Sequence, residues 1–142
     1  MHLLDTDTLT HLHAGHPRVS ANLRAVDDPI VGTTILTKNE LLRGRIDFLM
    51  KAAKGQDILR AQQWLMRTED LLAQLLIIPF DQTAAHHFDQ LRLTHTAQKI
   101  GHVDRMIASI ALAHHATLVT RNRRHFRQIP GLRLANWVDD EP

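Results

Sequence analysis

The 142-residue sequence contains no cysteine. Without thiols the chain forms no disulfide, holds no metal through thiolates and has no cysteine nucleophile, a composition that fits a reducing compartment. Packing alone must then stabilise the fold. Hydrophobic residues make up 44% of the sequence and charged residues 23%, which is an ordinary globular balance. We therefore expect one domain that spans residues 1–142.

Long apolar runs are also missing. The N-terminal run ends at Asp5, too early for the core of a signal peptide, and the longest apolar stretch is interrupted by Gln74 and Pro79. No internal repeat, low-complexity tract or linker is present. The expectation is a soluble cytoplasmic protein without a membrane partner.

Acidic residues are absent from one basic segment. Residues 117–133 contain five arginines and no Asp or Glu, although the formal net charge of the chain is only +2. Such a block of guanidinium groups suits a polyanionic partner such as nucleic acid, and a solvated surface is the alternative. The arginines are Arg121, Arg123, Arg124, Arg127 and Arg133.

The hydrophobic pattern predicts alternating strands and helices. Pro17 suits the first turn of a helix and Asp81 suits a helix cap, while Thr37 and Glu40 have the spacing of a capping box. This alternation predicts an α/β fold with a mainly parallel central sheet of about four to five strands and helices on both faces. Strands are expected at 3–4, 30–36, 76–80, 117–120 and 134–138, and helices at 8–14, 17–26, 37–50, 57–75, 84–93 and 103–111.

Three acids lie where an open parallel sheet binds its ligands, beyond the carboxyl ends of the strands. Asp5 follows the first predicted strand, Glu40 follows the second, and Asp104 begins a helix near the same edge. Converging carboxylates repel one another unless a cation neutralises them, and hard cations such as Mg²⁺ and Mn²⁺ prefer oxygen ligands. A cation held there polarises a phosphodiester and activates water, so the pattern favours phosphodiester hydrolysis.

Each acid also has a purely structural explanation. Asp5 suits a helix N-cap, Glu40 suits the capping box, and Asp104 complements the positive end of its helix dipole. For any one of these residues alone the structural explanation is preferred. The combination and the surrounding sequence favour the metal site.

Four segments resemble a known family: LLDTDTLT (3–10), TTILTKNELLRG (33–44), IGHVDRMIASIALAHHATLVTRNRRHF (100–126) and IPGLRLANW (129–137). Through them the chain resembles the PIN-domain ribonucleases, specifically the VapC toxins of VapBC toxin–antitoxin systems. The most specific feature is Asp104, followed by an Ile-Ala-rich helix and a Leu-Val-Thr-Arg-Asn strand end. The resemblance implies a PIN-like three-layer fold and an endoribonuclease whose metal-binding acids are Asp5, Glu40 and Asp104, with Mg²⁺ or Mn²⁺ as cofactor.

The resemblance also implies roles for residues around the acids. Asn122 occupies the polar position after the last core strand, with Thr120 and Thr6 as hydrogen-bonding support. One position departs from the pattern, because many relatives have an acid directly before the Phe of the final motif and this chain has His125. We therefore predict one well-held ion and leave a second open. Candidate contacts for RNA phosphates are Arg121, Arg123, Arg124 and His125.

The partners implied by the resemblance are structured RNA, a small VapB-like antitoxin and a second copy of the chain in a homodimer. An antitoxin of this kind lays a segment into an apolar groove. Trp64 and Leu65 are candidate anchors, and Trp64 fits an ordinary core position equally well.

Three alternatives stay open at this stage. Asp5-Thr6-Asp7 is similar to the nucleophilic motif of haloacid-dehalogenase-like phosphatases, although Leu9 and the later sequence do not fit that family. The histidine clusters suggest zinc, and His102 and His125 flank the predicted site. A domain that binds RNA without cutting it would explain His125, but it leaves the three acids without a role.

Overall fold

The computed structural model describes residues 1–94 and 99–142, and its elements follow the predicted alternation. Within these ranges, none of the helices combines the length and the hydrophobicity needed to cross a membrane. The strands are β1 (His2–Leu4), β2 (Val31–Thr34), β3 (Leu76–Ile78), β4 (Thr117–Val119) and β5 (Arg133–Ala135). The helices are α1 (Thr6–His13), α2 (Pro17–Ala25), α3 (Ile35–Lys51), α4 (Gly55–Ala73), α5 (Gln82–Arg92), α6 (His102–Ala113) and α7 (Arg123–Phe126).

The strands form one parallel sheet in the order β3-β2-β1-β4-β5, with β3 and β5 at its edges. Successive strand side chains point to opposite faces, so Leu3 packs into one buried cluster and Leu4 into the other. The Leu3 cluster includes Ile107 of α6, and the Leu4 cluster includes Leu9 of α1 and Leu72 of α4. Helices thus cover both faces, and the predicted α/β three-layer architecture is confirmed.

Buried threonines fasten the carboxyl ends of the central strands to one another. The Thr33 hydroxyl donates to the Leu4 carbonyl at 2.6 Å, and the Thr8 hydroxyl donates to the Val119 carbonyl at 3.2 Å. The Asp5 backbone N–H also donates to Val119, at 3.0 Å. These bonds fix the edge from which the candidate site is built.

The boundary between β2 and α3 differs from the prediction. Thr34 ends the strand and caps α3, because its hydroxyl accepts the N–H of Thr37 at 3.1 Å. Ile35 and Leu36 extend the apolar strand pattern, but they begin the helix, and Leu36 packs against the core. The predicted capping box is therefore wrong, and Glu40 lies in the second turn of α3 without a capping role.

Other differences are small and follow from local hydrogen bonds. α1 begins earlier than predicted because Asp5 caps it, and Gly55 begins α4 instead of separating two helices. β5 stops at residue 135 because the Asn136 side chain accepts the N–H groups of Val138 and Asp139 and turns the chain. The spacing of Val103, Met106, Ile107, Ile110 and Ala111 predicts one apolar face for α6, and this prediction is wrong at Val103, which is 45% exposed.

Gly32 is required by the close approach of two strands. A Cβ at this position would collide with the carbonyl oxygen of Leu76 on β3. We expect Gly32→Ala to lower the free energy of unfolding by about 1–3 kcal/mol, the usual cost of overpacking, in a urea titration. Gly44→Ala is the matched control, because a Cβ there meets nothing within 4 Å and alanine favours the interior of α3. Equal stability of the two variants would contradict this account.

Candidate active site

Asp5 connects β1 to α1 and holds a fixed position at the sheet edge. Its Oδ1 accepts the N–H of Thr8 at 2.8 Å, so the side chain does cap α1, as its structural explanation requires. Its backbone N–H is bound to β4, which leaves the residue held on both sides. Capping uses one carboxylate oxygen and leaves the negative charge at the carboxyl end of the central strand.

Glu40 reaches the same edge from α3. Its Oε2 accepts the hydroxyl hydrogen of Thr6 at 2.5 Å, which ties the second turn of α3 to the first residue of α1. Thr6 directly follows Asp5, so this bond brings the two acids to neighbouring positions. The predicted supporting role of Thr6 thus corresponds to a contact with an acid.

Asp104 contributes the third carboxylate, from the first turn of α6. Burial is the main factor that raises the pKa of this carboxyl above its usual range. His125 opposes the shift by charge and hydrogen bonding, while the negative charges of Glu40 and Asp5 add to it. The carboxyl ends of β1 and β2 and the start of α6 therefore bring three acids within electrostatic reach of one another.

Each carboxylate nevertheless has its own protein partner. Asp5 accepts from Thr8, and Glu40 accepts from Thr6. The Asp104 Oδ2 lies 3.5 Å from His125 Nδ1. Across residues 1–94 and 99–142, no three His, Asp or Glu side chains are close enough to hold an ion as they stand. Binding of a cation would thus require the carboxylates to turn toward a common point.

His125 and Asn122 lie beside Asp104, on the segment that follows β4. The Asn122 Nδ2 is 3.3 Å from His125 Nδ1, which also faces Asp104. Thr120 is fully buried, and its hydroxyl accepts the N–H of Asn122 at 3.0 Å. The predicted polar residues after β4 thus form one chain of contacts that ends at the acid.

Two of the four residues predicted to contact RNA phosphates are paired with acids near the C-terminus. Arg121 Nε donates to Asp139 at 3.3 Å, and Arg123 NH1 donates to Asp140 at 2.8 Å. Arg124 is exposed and has no ion pair within the described ranges. The arginine block is therefore partly neutralised, which the sequence pattern did not indicate, although the acids Asp139 and Asp140 are visible in the sequence.

The structure gives no support to two of the alternatives. Asp7 forms an ion pair with Arg121 at 3.7 Å and lies 3.6 Å from His11, so it does not join the three acids as a phosphatase mechanism requires. The histidine clusters do not form a zinc site within the described residues. The rings of His11 and His16 lie edge to face instead, with centroids 5.2 Å apart.

Comparison with known proteins identifies a family and similar structures. Residues 2–132 match the PIN domain family. The chain is 40% identical over 81 residues to Ribonuclease VapC2 of Rickettsia felis, a match that covers 55% of this chain and only 60% of that relative. It is 33% identical over 118 residues to the tRNA(fMet)-specific endonuclease VapC of Salmonella typhimurium, covering 73% of this chain and 89% of that one. The crystal structure of VapBC2 from Rickettsia felis bound to a promoter DNA fragment aligns with a TM-score of 0.74 and 31% identity, over 96% of this chain and 98% of that one.

Proposed function

Because the chain belongs to the PIN-domain family, we propose that it is a metal-dependent endoribonuclease and the toxin component of a type II toxin–antitoxin system. The observation that carries the proposal is the approach of Asp5, Glu40 and Asp104 to one another at the carboxyl edge of the sheet. Burial is the main factor that raises the pKa of Asp104, and the negative charges of Glu40 and Asp5 add to it, a repulsion that a bound cation would relieve.

The donor set fits Mg²⁺ or Mn²⁺. It consists of carboxylate oxygens, which these hard cations prefer, and Asp5, Glu40 and Asp104 are the residues that would hold the ion. Glu40 is exposed and has a long side chain, so its carboxylate can turn toward the other two acids without movement of the backbone. When bound, the ion polarises the phosphodiester and lowers the pKa of an attacking water.

The residues around the acids orient them and the substrate. Thr6 holds Glu40 by its hydroxyl, and His125 donates toward Asp104 when its imidazole is protonated. Asn122 contacts the same nitrogen of His125, Nδ1, which accepts an N–H of Asn122 only when that nitrogen carries no proton. Arg124 is free to contact an RNA phosphate, while Arg121 and Arg123 reach RNA only if they exchange their carboxylate partners for phosphates.

The partners and the cellular location are parts of the same proposal. A VapB-like antitoxin is the proposed inhibitor, because the Rickettsia felis structure similar to this chain is a VapBC complex. We further propose structured RNA as substrate and a homodimer, which rest on family resemblance, together with a single PIN domain over residues 1–142 and a cytoplasmic location.

The direct test is cleavage of RNA by the purified chain, freed of any antitoxin. We expect endonucleolytic products with Mg²⁺ or Mn²⁺ and no products after chelation with EDTA, followed on a denaturing gel. Activity that survives chelation would contradict a metal-dependent mechanism. RNA binding without cleavage would favour a domain that has lost its chemistry, and hydrolysis of small phosphate monoesters alone would favour a phosphatase.

A further inference from the structure

A second group of side chains, outside the acid site, surrounds a cavity of about 260 Å³ between α5 and α6. The Phe88 ring lies edge to face with His102 at 5.5 Å between centroids and with Phe80 at 6.1 Å. Met106 and Asp89 are among the remaining lining residues. We call this the aromatic cavity. Phe88 is only partly buried and belongs to neither of the two hydrophobic clusters, so packing of the core does not explain it.

Arg105 places a cation beside the Phe88 ring of the aromatic cavity. Its guanidinium carbon lies 5.7 Å from the centre of the Phe88 ring. Its Nε is buried without a hydrogen-bond partner, and no carboxylate within the described ranges pairs with the side chain. A buried donor without a partner costs free energy, which an anionic ligand that reached this guanidinium would offset.

The aromatic cavity and the acid site both draw residues from the start of α6. Arg105 directly follows Asp104 on α6, and His102 lies in the same first turn. Phe80 stands just beyond the end of β3, on the carboxyl edge of the sheet that also carries Asp5. The aromatic cavity and the acid site thus share the first turn of α6.

We propose that the aromatic cavity receives an unpaired nucleobase of the RNA adjacent to the cleaved bond, and that Arg105 contacts a phosphate of the same strand. Every nucleobase offers a flat π face, and proteins bind splayed-out bases of single-stranded RNA by stacking them on aromatic rings and guanidinium planes. The aromatic rings would stack on a base, and Arg105 would contact a phosphate. The neighbouring acids would act on the adjacent phosphodiester of the same strand. The inference rests on the proposed ribonuclease function.

The consequence is that cleavage requires an unpaired nucleotide at the cut. A base held in a helix is stacked on its neighbours and cannot enter a side cavity without unpairing.

Binding of two probes separates base recognition from phosphate recognition. The probes are a fluorescein-labelled single-stranded adenosine decamer and an abasic decamer of the same length, measured by anisotropy on an Asp5→Asn background so that neither is cut. We expect Phe88→Leu to weaken the adenosine decamer about tenfold, from the loss of one stacked base, and to leave the abasic decamer unchanged. Arg105→Gln should weaken both probes.

The matched control is Phe48→Leu, which removes a ring that is 54% exposed on α3, outside the aromatic cavity, and should change neither affinity. Thermal melting verifies the fold of each variant, and His102→Ala gives a second test if Phe88→Leu melts early. If Phe88→Leu and His102→Ala both bind the adenosine decamer as tightly as the unmodified chain does, the inference is overturned. An altered sedimentation coefficient with unchanged RNA affinity also overturns it and assigns the cavity to a second copy of the chain. If the unmodified chain neither cuts nor binds RNA, it is the proposed function that fails.

Discussion

Replacement of Asp5 by Asn should reduce RNA cleavage at least about a thousandfold, equivalent to roughly 4 kcal/mol in the activation barrier. The side chain keeps its shape and loses its negative charge, so the site loses one of the three carboxylates that would hold the cation. The fold should survive, because an Asn oxygen accepts the N–H of Thr8 as the aspartate does and asparagine is an equally good N-cap. Initial rates of cleavage at saturating Mn²⁺, together with circular dichroism, test both parts.

Asp7→Asn is the matched control, since it makes the same change two residues further along α1. Asp7 is 47% exposed and pairs with Arg121 instead of facing the other acids. We expect it to retain cleavage within about twofold, because an exposed ion pair contributes little. Similar losses in both variants would mean that general charge, and not the position of Asp5, controls activity.

The sequence predicts the position of Asp5 at the sheet edge because that position follows from the strand order. Asp5 stands directly after a short buried strand, and parallel strands bring their carboxyl ends to one edge. The alternation of apolar and turn residues is local, and it suffices to find β1, β2 and β4. The architecture was therefore accessible without knowledge of any side-chain contact.

The start of α3 could not be predicted from the sequence, because two local signals conflict there. Ile35 and Leu36 extend a β-type apolar run, whereas the hydroxyl of Thr34 is positioned to cap a helix. The hydrogen bond to the Thr37 N–H decides in favour of the helix. As a result, Glu40 is released from a capping role and contacts Thr6, a residue 34 positions away.

The pairing of the arginines is equally invisible in the sequence. Arg121 and Asp139 are 18 positions apart, and they meet because Asn136 turns the chain after β5. A basic segment predicts a local charge but does not reveal which acids the fold returns to it. Of the predicted phosphate contacts, Arg124 is thus the one left without an acidic partner in the part of the chain that the structure describes.

Asp104→Asn should stabilise the metal-free protein, but it should lower the stability relative to the unmodified chain when metal is present. Burial raises the pKa of the Asp104 carboxyl above its ordinary value of 3.8, and the charges of Glu40 and Asp5 add to this. The folded chain therefore binds this proton more tightly than the unfolded chain does. The contribution of Asp104 to the free energy of unfolding therefore falls as the pH rises from its ordinary pKa of 3.8 through its raised pKa in the folded chain. At pH 7 its charge destabilises the metal-free protein.

In EDTA at pH 7, Asp104→Asn should melt slightly higher than the unmodified chain, by about 1–3 °C, since solvent screens part of the repulsion at a side chain that is 34% exposed. With Mn²⁺ at a hundredfold excess over its Kd, the unmodified chain should gain about 3 kcal/mol, or roughly 5–10 °C, and the variant should gain little. Differential scanning fluorimetry in both buffers measures whether the order of the two melting temperatures reverses. Asp47→Asn, which alters an exposed acid of α3, should follow the unmodified chain in both. A variant that is destabilised in EDTA, or that gains as much from Mn²⁺ as the unmodified chain, would remove Asp104 from the metal site.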